Sequence, residues 1–154
     1  MTPACLALDA AGIDYWLHPY THDPAASSYG EEAAAALGVE ADRVFKTLMA
    51  ELDDGELVVA IVPVTCMLDL KSLAHSMGSK KAAMAPVHLA ERSSGYVAGG
   101  ISPFGQRTRR RSAIDEIALI HDTIFVSGGR RGLDLALAPD ALVSLLDAVV
   151  ADLT

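Results

Sequence analysis

The stretch "VFKTLMAELDDGELVVAIVP", residues 44 to 63, constrains the fold more than any other part of the chain. Two apolar runs flank Asp53-Asp54-Gly55, and an Asp-Gly step between such runs signals two strands joined by a tight turn. An antiparallel hairpin is therefore expected here. The segments on either side alternate between helix and strand patterns. Thr2-Pro3 opens an alanine-rich helix that Gly12 ends, and "IDYWLHPY", residues 13 to 20, reads as a strand. Ser28-Tyr29-Gly30-Glu31 fits a capping box for the helix "EEAAAALG", closed by Gly38.

Further along, Asp69 can cap a helix "LKSLAHSMG", and a short helix "VHLAERS" begins near Pro86. "IALIHDTIFVSGG" supplies one or two strand segments, "LDLALA" alternates as another strand, and Pro139-Asp140 opens a last helix, "ALVSLLDAVVADL", with a broad apolar face. Hairpins and crossovers in one chain point to a mixed sheet in a single α/β domain. No repeat, linker or composition break divides residues 1 to 154, and that length can close one core without metal or disulfide staples.

Composition narrows the function classes. With twelve Lys and Arg against twenty Asp and Glu, the net charge of -8 excludes a protein that wraps duplex nucleic acid by phosphate neutralisation. No DNA partner is expected, and any nucleic-acid contact must be local. The positive charge is clustered at Lys80 and Lys81, at Arg107 and Arg109 to Arg111, and at Arg130 and Arg131, as solvated loop charges or as local contacts. No apolar run reaches the roughly 18 residues of a membrane span, and no secretory leader pattern opens the chain, so a cytoplasmic address is the default. Cys5 and Cys66 form no metal-like or redox spacing and are expected to be buried small hydrophobes.

Neither GxxxxGK[ST] nor GxGxxG occurs. Two other glycine-rich loops do, "GGISPFG" and "SGGRRG", each after an apolar stretch and each close to arginines. They are either plain turns or places where backbone N–H groups approach a phosphate or carbonyl. Lys46 sits inside an apolar strand pattern, either snorkelling at a sheet edge or held in a cleft as a fixed positive charge. His18 and His22 have a ligand-like spacing only on a helix, which Pro19 and Pro24 oppose, so no metal site is expected. There is no G-x-S-x-G elbow and no Cys with a nearby His: the chain offers no ready-made nucleophile.

Taken together, "HPYTHDP" at 18 to 24, "VFKTL" at 44 to 48, "LDLKSLAHSMGSKKAAMA" at 68 to 85, "RSSGYVAGGISPFGQ" at 92 to 106 and "VSGGRRGLDLAL" at 126 to 137 resemble the YbaK family of aminoacyl-tRNA editing proteins. The resemblance covers nearly the whole chain in the same order and is closest to the bacterial Cys-tRNA(Pro) deacylases. It implies a mixed, barrel-like β-sheet surrounded by helices, no cofactor, and trans-editing hydrolysis of the ester between a wrong amino acid and the terminal adenosine of tRNA. Such a second site is needed because a pocket sized for proline cannot strongly reject cysteine.

The resemblance implies catalytic roles for Lys46, Tyr20 and Asp134, with the aminoacyl group and adenosine held by Gly100, Ile101, Ser102 and Pro103 and by a second loop at Ser127, Gly128 and Gly129. It also implies chemistry assisted by the substrate's own thiol, which attacks the ester and leaves a cyclic thiolactone. The expected partners are the aminoacyl-tRNA acceptor end and prolyl-tRNA synthetase, in a ternary complex with the tRNA. The arginine run at 107 to 111 is more basic than the family pattern and is a candidate tRNA contact. Two rival expectations stand beside this one: an editing enzyme for other small aminoacyl esters, and a non-catalytic module that binds an aminoacyl or nucleotide ligand.

Overall fold

A computed structural model describes all 154 residues. The elements run α1 (Pro3–Ala10), β1 (Trp16–Pro19), α2 (Tyr29–Leu37), β2 (Phe45–Leu52), β3 (Leu57–Pro63), α3 (Leu70–Ser76), β4 (Ala82–Met84), α4 (Val87–Ser94), β5 (Ser112–Asp115), β6 (Ile124–Arg130), β7 (Leu133–Leu137), α5 (Pro139–Leu146) and β8 (Val149–Ala151). No helix is long and apolar enough to cross a membrane.

The Asp-Asp-Gly hairpin forms as expected. Glu51 faces Leu57 across it, Gly55 N donates to Leu52 O, and Gly55 takes the positive φ of 91° that the turn demands. The pair lies inside a five-stranded sheet ordered β4-β2-β3-β5-β8, antiparallel across β4, β2 and β3 and parallel from β3 through β8. All seven residues of β3 are buried, because this central strand is covered on both faces. Val59 and Ile61 join Leu8, Phe45, Ile114, Leu135 and Leu142 in the main core. Val58, Ala60 and Val62 pack on the opposite face with Leu73, Met77 and Leu153.

A second, three-stranded antiparallel sheet is ordered β1-β7-β6. A parallel bridge between Val44 and Phe125 joins the two sheets. The mixed α/β architecture is therefore as the sequence implied, but the sheet does not close into a barrel. The edge strands β4 and β8 are three residues each, too short to carry pairing around a cylinder.

The helix caps follow the sequence closely. Thr2 accepts from Cys5 N, Ser28 from Glu31 N, and Asp69 from Lys71 N and Ser72 N. The return arm of the expected capping box is absent; instead Glu32 takes His22 Nδ1 at 2.8 Å and Asp23 N at 2.6 Å, tying the 20–28 loop to α2. The last helix is shorter than its apolar pattern suggests. It stops at Asp147, which adopts φ 50°, and the β-branched Val149 and Val150 continue as β8 beside β5. "IALI" forms a 3-10 turn rather than a strand. Cys5 is buried, whereas Cys66 is half exposed and lies outside the core.

Candidate active site

Strands β2, β4, β6 and β7 of this frame each deliver one part of a cleft of about 430 Å³. β2 contributes Phe45 through Met49, so Lys46 and Thr47 both line it. β7 runs leucine, aspartate, leucine, alanine, leucine. Period-2 alternation sends Leu135 and Leu137 into the main core, with Leu133 buried on the same face, and leaves Asp134 and Ala136 for the other face. Asp134 lies opposite His18 on β1 and Ser127 on β6, and both Asp134 and Ser127 line the cleft. Tyr20 follows β1 directly and is fixed by its N–H donating to Gly132 O at 2.9 Å. Lys46, Tyr20, Asp134 and Ser127, distant in sequence, thus meet in one concavity.

The walls are apolar. Ala33, Met49, Ala85 and Ala90 line the cleft, with Met84 and Val87 exposed at its rim. This surrounding sets the electrostatics. Asp134 is only 6% exposed, and burial pushes its carboxyl up to about 7. Burial, with the charge of Asp134 adding to it, raises the phenol of Tyr20. Lys46 is half-buried and takes part in neither ion pair of the protein, His22–Glu32 and Arg111–Glu56. The Thr47 hydroxyl is buried with no hydrogen-bond partner.

The loop from Gly95 to Gln106 forms the remaining wall, and it is braced from behind. Glu91 accepts from Ala98 N at 2.8 Å, Tyr96 Oη donates to Phe104 O at 2.6 Å, and Gln106 Nε2 donates to Ser102 O at 3.0 Å. Of the expected loop residues, Ile101 reaches the cleft, together with its neighbours Ala98 and Gly99. Ser102 is fully buried, its hydroxyl accepting from Phe104 N, and Pro103 lines a separate pocket behind the loop. Gly100 is a packing residue: a Cβ there would stand 2.8 Å from the backbone of Arg130. Gly128 and Gly129 form an irregularity in β6, where Gly129 has φ 106° and its N–H donates to Ser127 Oγ. Gly100, Ser102, Pro103, Gly128 and Gly129 therefore shape the wall without lining the cleft. The N–H groups of Ala98 and Gly100 are engaged, whereas those of Gly99 and Ile101 make no hydrogen bond within the chain.

Sequence reasoning passed over Tyr29 and Gly99. The Tyr29 ring packs against Gly99, where a Cβ would come within 2.7 Å of it, and both line the cleft. A tyrosine in the first turn of a helix gives no sequence signal for this. Thr47, Met84 and Val87 were likewise not singled out.

Residues 22 to 145, which include this cleft except for Tyr20, match the family model of an aminoacyl-tRNA editing domain. The chain belongs to that family. Among its editing-domain relatives is EbsC of Enterococcus faecalis, provisionally named a Cys-tRNA(Pro)/Cys-tRNA(Cys) deacylase. It is 39% identical over 124 residues, covering 80% of this chain and 76% of that protein. A crystal structure described provisionally as a trans-editing enzyme for prolyl-tRNA synthetase superposes with a TM-score of 0.86 at 25% identity, covering 99% of this chain and 94% of that one. The structure of a hypothetical protein superposes with a TM-score of 0.88 at 26% identity over 98% of each chain.

Proposed function

We propose that this editing-domain protein is a trans-editing deacylase that hydrolyses Cys-tRNA(Pro) in the cytoplasm. The observation that carries the reading is the make-up of the cleft. It holds one lysine, one buried carboxyl and apolar walls, yet its lining includes no cysteine or histidine to act as nucleophile or as base for one. A substrate that brings its own thiol removes the need for a protein nucleophile.

In this reading the cysteinyl sulfur attacks its own ester carbonyl. A C–S bond forms, the C–O bond to the ribose breaks, and the ribose oxygen leaves with a proton. Asp134, with a carboxyl that titrates near neutrality, is suited to take the thiol proton and return it to that oxygen. Lys46 presents a fixed positive charge to the oxyanion that develops at the ester carbonyl, Tyr20 orients the aminoacyl end, and the free N–H groups of Gly99 and Ile101 are candidates to polarise the same carbonyl. Water then opens the thiolactone to free cysteine. The acceptor end of tRNA is the ligand, and prolyl-tRNA synthetase supplies tRNA identity in a ternary complex; the similarity to a trans-editing structure supports that pairing.

Single-turnover deacylation of Cys-tRNA(Pro) by wild type and Lys46→Ala, with circular dichroism to confirm folding, tests the proposal. Rapid release by wild type and none by the folded variant is the expected result. Ser-tRNA(Pro) should react poorly, since its hydroxyl is a far weaker nucleophile than a thiolate. Release of Ser at the rate of Cys would remove the substrate-thiol step and leave editing intact. No release by wild type, with synthetase present, would overturn the deacylase reading.

A further inference from the structure

The mouth of the cleft carries positive charge that the chemistry above does not use. The turn Arg130-Arg131-Gly132, between β6 and β7, touches three separate parts of the rim. The Arg130 backbone lies against Gly100. Arg131 Nε donates to Ala98 O at 2.8 Å, and its guanidinium stands 5.1 Å from the centroid of the Tyr29 ring. Gly132 O receives Tyr20 N. Because Ala98, Tyr29 and Tyr20 all line the cleft, Arg131 is fixed at its edge.

Both arginines are exposed, and neither has a carboxylate within ion-pair distance, in a chain where acids outnumber bases twenty to twelve. Arg131 gives its Nε to a neutral carbonyl, which leaves its Nη donors available on a side chain already held in place. A guanidinium positioned in this way suits a phosphate diester, since its planar donor set matches two oxygens and little freedom is lost on binding.

Within the arginine run, three of the four side chains have partners away from the cleft, and Arg107 is exposed. Arg111 is bidentate to Glu56 at 2.7 and 2.9 Å, Arg110 donates to Ser93 Oγ, and Arg109 donates to Leu145 O. No arginine lines the cleft itself, but Arg131 binds a lining residue, Ala98, whereas the run's partners Glu56, Met77, Ser93 and Leu145 are not lining residues.

We infer that Arg130 and Arg131 hold backbone phosphates of the single-stranded 3′ end that enters the cleft, so that the RNA contact is set by the β6–β7 turn and not by residues 107 to 111. This rests on the cleft being an aminoacyl-tRNA site. Two adjacent cations on one turn match a flexible single strand; a duplex would need a longer basic track.

The test is the salt dependence of binding of a fluorescein-labelled acceptor-stem microhelix ending in unpaired, uncharged CCA, read by fluorescence anisotropy. Arg130→Ala and Arg131→Gln should each weaken low-salt binding several-fold. Each should also make the slope of log affinity against log salt shallower by about 0.7, the value for one single-strand phosphate. Arg131→Lys should keep the slope, and Arg109→Ala should change nothing. Unchanged slopes in Arg130→Ala and Arg131→Gln, an equal loss in Arg109→Ala, or no binding by wild type at low salt would overturn the inference. The cysteinyl form of the same microhelix separates the two readings. Release by wild type with unchanged slopes removes only the phosphate contact; altered slopes without release remove only the deacylase reading.

Discussion

Asp134 is a carboxyl whose protonation is coupled to folding. Burial raises it to about 7, against an ordinary value of 3.8, so the native state holds a proton that the unfolded chain releases from about pH 4 upward. Its contribution to stability therefore becomes less favourable as pH rises from about 4 to about 7, and is flat above. Asp134→Asn cannot ionise and should be more stable than wild type by on the order of 2 kcal/mol at pH 8, with the gain shrinking toward zero near pH 4. Urea denaturation at the two pH values checks this; an equal gain at both would show that the carboxyl is not held protonated by burial. Because Asp134 must be ionised to take the thiol proton, the wild-type deacylation rate should rise through about pH 7, and Asp134→Asn should lose that rise. Lys46 was legible in the sequence as a charge placed within an apolar strand pattern, whereas Asp134 came only with the family resemblance. Tyr29 and Gly99 were not legible, because their position depends on a ring from α2 meeting a loop that follows α4.

The elements separate local signals from distant ones in the same way. Short polar caps marked the starts of α1, α2 and α3, because Thr2, Ser28 and Asp69 accept from neighbouring N–H groups, and Gly38 marked the end of α2. The turn from α5 into β8 was hidden, because only the edge of β5 tells Val149 and Val150 to pair instead of continuing a helix. Asp115 closes that junction. It is buried, and its two oxygens accept from Ile117 N and Leu153 N, both at 2.9 Å. Asp115→Ala strands both donors and should cost about 2–3 kcal/mol in denaturant unfolding. A loss below about 0.5 kcal/mol would mean that the C-terminal segment is held by the packing of Leu153 alone. Gly100→Ala should leave secondary structure intact by circular dichroism yet slow deacylation, since a Cβ there meets backbone that must move.

At the scale of the molecule, the excess of acid makes salt act in opposite directions on folding and on binding. Self-repulsion of a chain of net charge -8 is screened as salt rises, so the melting temperature should increase while RNA affinity falls. A melting temperature that fell with added KCl would contradict the first half. With so few cations to grip RNA, discrimination by the protein alone should be weak. Rates on Cys-tRNA(Pro) and Cys-tRNA(Cys) should be similar without prolyl-tRNA synthetase and diverge when it is added. The mixed α/β class could be read from the hairpin and its flanking patterns, but the division into two sheets could not, because three-residue edge strands leave almost no trace in a sequence. The bare contact between Gly100 and the Arg130 backbone has a practical side for protein engineering. Two loops that meet without a side chain between them cannot be diversified independently, so a library aimed at a new aminoacyl specificity gains by varying Met49, Met84 and Val87 and holding both loops as one inherited block.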